Sequence, residues 1–485
     1  MRSLGLAFGI MCAMGSPCAA QGLESVKIFP MGGQRNAQVP LELQGKIDAW
    51  PPSLWASHPG ITWQAKETKG QGEVAIAADV PTGIAWIRVF DSQSVSPLMP
   101  FLVGDAVGFV ETEPNDAFRQ PQMLSGNRWV YDGILQKSGD VDHIGVPMNR
   151  GDRWWFWLDA HRSLKSPMDG GMQILDDRGN ILAQNLDRFG LDPGIAWTCP
   201  RDGVVSIRVF AFPETPDSTI GYAGGDSFRY RLYGVQGHDP TWEDLERDAV
   251  ALAEPNDRST PLQIAPAEAQ RKLAVWGVFE TQGDEDAIAI ETTRAGHWSI
   301  KARSLELGSD ADLILEVLDS AGKILAKQGE SGEIREPVFK DQMKTPGKYI
   351  AVVRDLHRAF GGDHRYRIEF EEELPSVLGS IAKDVFVGEV GKPIELEIAL
   401  ERTLDCTEEA VLRLEGGIEE IACEPVTSRA GDDSAKKVML KVTATRACSI
   451  PFQVRIDQAG RPEPHSVMSG THRQPHLWLI VKAAP

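Results

Sequence analysis

Basic residues are scarce: 50 Lys and Arg stand against 69 Asp and Glu in 485 residues, a formal charge of −19. That balance opposes a phosphate backbone or an anionic membrane surface, so nucleic acid is excluded as a partner and a divalent cation becomes credible. Long apolar runs are also missing. Beyond the N-terminus no segment approaches the roughly 18 uninterrupted apolar residues of a membrane span. Cysteine is sparse, with six in the chain, which excludes a disulfide scaffold. The sequence carries no HExxH, GxSxG or P-loop motif, so it reads as a non-enzyme.

What is present is an ordinary globular composition, 42% hydrophobic and 25% charged, in a chain long enough for three or four domains. Met1 and Arg2 precede the apolar stretch LGLAFGIMCAMG and the small or turn-forming residues Ser16 to Ala20. This is the pattern of a secretory signal peptide over 1–20, so the protein is expected to be secreted to the periplasm, cell surface or medium. Four cysteines follow the leader: Cys199, Cys406, Cys423 and Cys448. An oxidising compartment would permit one bridge among the last three without specifying the pair. Each reads equally well as a small buried hydrophobe.

An internal repeat organises the middle of the chain. ETEPNDAF at Glu111 to Phe118 recurs as LAEPNDRS at Leu252 to Ser259, a spacing of 141; SGDVD ending at Asp142 recurs as QGDED ending at Asp286, a spacing of 144. LDDRGNILAQ against LDSAGKILAK, and GGDSFRYRLYG against GGDHRYRIEF, follow in the same order. Matches kept in register over this length indicate a duplicated unit.

Each copy reads as short alternating strands separated by Gly, Asp, Asn and Pro, the pattern of a β-sandwich or jelly roll. The fold class is therefore all-β, a tandem of β-sandwiches: 21–105 an Ig-like unit, 106–236 the first repeat, 237–373 a connector helix plus the second repeat, and 374–485 another Ig-like unit. Thr241 is placed to cap the connector helix in TWEDLERDAVALA. EFEEEL, with Glu369 and Glu371 to Glu373, reads as a solvated strand end.

On these motifs the chain resembles the bacterial pre-peptidase C-terminal domain, a secreted β-sandwich module found beside extracellular peptidases. The carriers are the E-P-N-D entry, the G-D-x-D turn about 25 residues on and the closing Y-R strand, present in both copies. The flanks look like the Ig-like segments that accompany such modules. That family is similar to the collagen-binding domain of bacterial collagenases, in which acidic residues of the entry segment and facing turn hold calcium. The resemblance implies Glu111, Glu113, Asn115, Asp116, Asp140 and Asp142 as ligands in the first copy, and Glu254, Asn256, Asp257, Asp284 and Asp286 in the second. Carboxylates with an Asn carbonyl suit the hard-oxygen demand of Ca²⁺. Leu252 stands where the first copy has Glu111, so weaker binding or none is expected there. The alternative is that these acids cap turns.

Alternation in WFWLDA places Phe156, Leu158 and Ala160 on the core face, opposite Trp298, Ile300 and Ala302 of the second copy. Trp155 and Trp157 then face outward, as an aromatic platform for sugar rings or peptide or as a surface covered by a neighbouring domain. His472 and His476 lie four apart with His465 nearby, a metal spacing on a helix, but their Pro-bearing segment reads as a surface loop. Together these features describe a secreted binding, adhesion or scaffolding protein, a string of four sandwiches. Its partner is expected to be an extracellular polymer, polysaccharide or protein. The other reading is an accessory or targeting protein for a secreted peptidase.

Overall fold

The computed structural model describes residues 22–213, 221–237, 246–264, 272–329, 336–416, 421–461, 463–470 and 473–483. The expected leader, Thr241 and His472 lie outside them. The described chain is almost entirely β, arranged as four successive pairs of sheets. Four separate hydrophobic cores fill them, formed by residues between Leu23 and Val103, Leu124 and Leu232, Val275 and Phe370, and Val377 and Val481.

The two middle sandwiches share one topology. In the first, one sheet runs Gln122–Met123, Asp142–Met148, Gly203–Pro213, Met168–Leu175, Ile181–Asn185, and the other Gly194–Thr198, Arg153–Asp159, Arg229–Gln236, Arg128–Ile134, Val107–Val110. In the second the same places are taken by Leu262–Ile264, Glu285–Thr292, Gly347–Asp355, Leu313–Leu318, Ile324–Gln328, and by Val338–Met343, Gly296–Arg303, Arg365–Glu373, Lys272–Val278, Val250–Ala251. The repeated DDRGN and DSAGK stretches are hairpin turns, for the same reason in both copies. The Asp176 carboxylate accepts from the backbone N–H of Arg178 and Asn180, and Asp319 from those of Ala321 and Lys323, while Gly179 and Gly322 take the positive φ the turn requires (85° and 77°). Val250 and Ala251, the end of the expected connector helix, instead form an edge strand parallel to Val275 and Trp276.

The four units do not hang as a string. The first sandwich rests on a buried cross-strand ion pair of the first repeat, Arg231 to Asp132 at 3.1 Å. Arg231 also donates to the Leu102 carbonyl at 2.6 Å, and Asp132 accepts from the Met31 N–H at 2.9 Å. Gly32 is needed for this approach, because a Cβ there would lie 1.9 Å from the Arg231 guanidinium. The last sandwich returns to the first: Arg88, fully buried, pairs with Asp384 at 2.5 Å. The buried Trp478 ring sits 4.8 Å from Phe90 and 6.0 Å from Trp55.

Two further readings change here. His476 does lie in a loop, just before the strand Leu477–Lys482, but not on the surface: its half-buried ring packs edge-on to Trp55 at 5.1 Å, and burial beside Arg88 lowers its pKa. Cys406 and Cys423 carry free thiols, Cys406 buried and accepting from Gln458 at 3.4 Å, so the structure draws no bridge through either.

Candidate metal centres

The entry segment of the first repeat is laid down by its edge strand. Val107–Val110 pairs parallel with Arg128–Ile134, placing Val110 against Asp132. Glu111 comes next; its N–H bonds the Asp132 carbonyl at 3.0 Å and its carboxylate accepts from the Ile134 N–H at 2.9 Å. After a Glu113–Pro114 cis peptide the chain docks on the facing sheet, where the Asn115 carbonyl accepts from the His143 N–H at 3.1 Å. Glu113, Glu111 and Asp142 thereby converge, and Glu113 also converges with Asp116 and Asp140, each trio with ligand oxygens within 4.8 Å of one another.

Asp142 is held from behind by Tyr230, whose hydroxyl donates to it. The ring reaches that position by lying across Gly133, its cross-strand partner, where a Cβ would meet the ring at 2.4 Å. The second repeat builds the same device: Tyr366 lies over Gly277, again with 2.4 Å to a would-be Cβ, and donates to Asp286. This assigns a task to the repeated tyrosine that sequence reasoning saw only as pattern, and to a glycine it did not single out.

The second entry segment follows the first up to a point. Leu252 bonds the Trp276 carbonyl at 2.8 Å, as Glu111 bonds Asp132, and the Asn256 carbonyl accepts from Ala287 N–H at 2.6 Å. Glu254–Pro255 is cis as well. Glu254, Asp284 and Asp286 come together, again within 4.8 Å. Asp257 does not join them. Its Oδ1 accepts from the N–H and hydroxyl of both Ser259 and Thr260, which hold its carboxyl below the usual range; as a ligand it is corrected to a turn cap.

Sequence reasoning missed Glu280. Two groups of like charge, Glu254 and Asp284, add to burial in pushing its carboxyl up to about 7. It occupies the position of Gln136 in the first repeat, as the 144-residue offset shows, so the second repeat, which lacks a carboxylate at Leu252, has another near Glu254 and Asp284. The offset that aligned the Asp pair was the signal that could have found it.

The electrostatics are those of anions gathered without a counter-charge. Burial, then repulsion from Glu113 and Asp140, pushes Glu111 up to about 7. Burial and Glu111 raise Asp142 well above the carboxylate range, and burial with Asp116 raises Asp140. In the second copy burial and Asp284 push Asp286 to about 7. Beside this, buried oxygens are left without a donor: Oδ1 of Asn115, Asp140 and Asp142 in the first repeat, Oδ1 of Asn256 and Asp286 in the second. Leaving such atoms unpaired costs on the order of 1–3 kcal/mol each. All are hard oxygen donors of the kind calcium takes.

The tryptophan platform is corrected. Trp155 is 6% exposed, capped by the Arg188 guanidinium 4.7 Å from its ring. Arg188 reaches on to the Gly308 carbonyl and, at 3.4 Å, to Asp310 of the second repeat. Trp157 is half-buried and stacked on Tyr233, centroids 4.6 Å apart. The side assignment itself matches the structure, with Phe156, Leu158 and Ala160 in the core.

No family model matches the chain, and no curated protein matches it. Among solved structures it is similar to the Clostridium thermocellum CbhA fibronectin(III)-like modules, at 12% identity and TM-score 0.16, covering 42% of this chain and 89% of that one. It is also similar to the Bacteroides ovatus mixed-linkage glucan utilization locus SGBP-B, solved with a mixed-linkage heptasaccharide, at 10% identity and TM-score 0.18, covering 73% and 78%. TM-scores of this size carry no argument about what this chain does. Among the described residues no helix is long and apolar enough to cross a membrane.

Proposed function

We propose that this protein is a secreted, non-enzymatic scaffold for binding an extracellular polymer, with its two inner sandwiches, of pre-peptidase C-terminal type, braced by calcium. The observation that carries the reading is the matched set of donor-less buried oxygens, at Asn115 and Asp142 and again at Asn256 and Asp286, inside two carboxylate clusters. In the first repeat Glu111, Glu113, Asn115, Asp140 and Asp142 would hold the ion, with Asp116 beside them. In the second, Glu254, Asn256, Asp284 and Asp286 would, with Glu280 adding charge. A bound divalent cation supplies the counter-charge that lets these carboxylates stay ionised when buried. The residues do the mechanical work: the entry segment carries Glu113 and Asn115, the facing strand carries Asp142, and pulling both onto one point fixes the linker to its sandwich.

The scaffold reading is supported by the joints between units, where buried arginines tie the first sandwich to the first repeat and to the last sandwich. A partner would meet a stiff block rather than a flexible row of beads. The peptidase-accessory alternative rests on the family resemblance alone.

Calorimetric melting of the full chain, stripped with chelator and titrated with Ca²⁺, tests the brace. A saturable rise in melting temperature is expected, because a ligand bound only to the native state stabilises it by mass action. Metal analysis after dialysis should find calcium retained. No shift at saturating Ca²⁺ would remove it, and retention on none of a panel of insoluble polysaccharides, cell-wall fractions and collagen would remove the polymer partner.

A further inference from the structure

A small pocket at the joint of the first sandwich and the first repeat is unlike the rest of this acidic molecule. It has a volume of about 200 Å³ and is lined by Ile28, Met31, Met99, Pro100 and Leu164, with Lys27, Lys165 and Arg229 around them. Three cations thus surround an apolar cavity in a chain of net charge −19.

The hydrogen bonds of these cations are to neutral oxygens. Arg229, 8% exposed, donates to the carbonyls of Asp226 and Ile28 at 2.9 and 2.7 Å and to the Gln44 amide oxygen at 2.5 Å. Lys165 donates to the Arg162 carbonyl at 3.0 Å. A buried charge satisfied only by dipoles is costly, and bringing further charges of the same sign toward it adds to that cost. Asp226 and Glu42 act on Arg229 through their fields. Lys27 feels the crowding: burial and then Arg229 lower its pKa. Elsewhere in this molecule buried arginines have carboxylates, as Arg231 has Asp132 and Arg88 has Asp384.

We propose that this pocket binds a small monocarboxylate with an apolar body, its head among Lys27, Lys165 and Arg229 and its body on Ile28, Met31, Met99, Pro100 and Leu164. The volume is below the roughly 300 Å³ at which drug-sized pockets begin, which restricts the body to a single ring or a short chain. The acids already in the field leave a singly charged head as the better electrostatic match than a doubly charged phosphate. The pocket shares no lining residue with the carboxylate clusters.

Isothermal titration of the full chain with benzoate and with hexanoate is the test, with acetate, benzyl alcohol and inorganic phosphate as comparisons. Saturable binding of benzoate or hexanoate is expected, with acetate and benzyl alcohol weaker by about tenfold or more, since each lacks one half of the match. Lys27→Gln and Lys165→Gln are the variants to use, because neither side chain is fully buried and the units should stay joined. Each should weaken benzoate by several-fold and leave the melting profile in place. Acetate or phosphate binding as tightly as benzoate, no saturation with either probe, or indifference to both substitutions would overturn the proposal.

Discussion

The two repeats share a fold and differ in how they are charged. Each has the same order of strands, the same Asp turn in its hairpin and the same tyrosine laid over a glycine to hold a buried aspartate. Around that constant frame the charges have moved. Glu111 becomes Leu252 while Gln136 becomes Glu280, and Asp116 stays in its cluster while Asp257 turns away to cap its own loop. Asp132, half of the buried ion pair at the joint with the first sandwich, becomes Trp276. The backbone scaffold of a binding cluster and the inventory of its charges are thus separable: the first is fixed by packing around glycine and tyrosine, the second by which polar groups the neighbours permit.

The largest expected effect tests the joint. Arg231→Ala leaves Asp132 buried without its partner and should cost on the order of 3–5 kcal/mol. Arg367→Ala, at the matching position, should cost less than half as much, because Glu369, its partner at 2.9 Å, keeps some contact with water. Denaturant unfolding of both variants decides; equal losses would mean the two arginine positions are equivalent after all.

Next in size, Gly133→Ala and Gly277→Ala each drive a methyl into a buried tyrosine. The expected cost is about 1–3 kcal/mol, the same in both copies if the device is shared. A much smaller loss in one would show that its tyrosine can move aside. Third, Leu252→Glu should tighten calcium at the second repeat, and Glu111→Leu should loosen it at the first, each by about tenfold or 1.4 kcal/mol. Calcium titration followed calorimetrically reads both.

A change of pH acts on both clusters at once. Glu111 and Asp286 have folded-state pKa values near 7, above the ordinary 4.5 and 3.8. The folded chain therefore binds protons more tightly than the unfolded one, and stability present at low pH is lost as pH rises toward and through about 7. With calcium the trend reverses, since the ion needs the carboxylates ionised. Melting in chelator should fall from pH 5 to 8, and the increment added by calcium should grow over the same range.

Much of this was legible in the sequence. The duplication and the all-β class follow from register and alternation, which are local or repeated features, while the gathering of Glu111, Glu113 and Asp142 was implied by the family resemblance. Three things were not legible. The alternation of Trp155 was read to the outer face, but what covers that face is Arg188, 33 positions away and on another strand connection. Asp257 carries the ligand residue type, yet Ser259 and Thr260 offer it four nearby donors, a competition that motif matching does not weigh. The return of the last sandwich to the first depends on which faces meet in space, which strand periodicity leaves open.

That return has a kinetic side. Arg88 and Asp384 are 296 residues apart in sequence, so the contact between the outer units can form only after nearly everything between them has been made. Contacts of such separation are slow to close. During synthesis Trp55 and Phe90 wait uncovered on a finished first sandwich until Trp478 arrives, a window in which an apolar surface is open to aggregation. A chaperone that engages that face would protect the newborn chain during this interval, and would be displaced by the chain's own last strand.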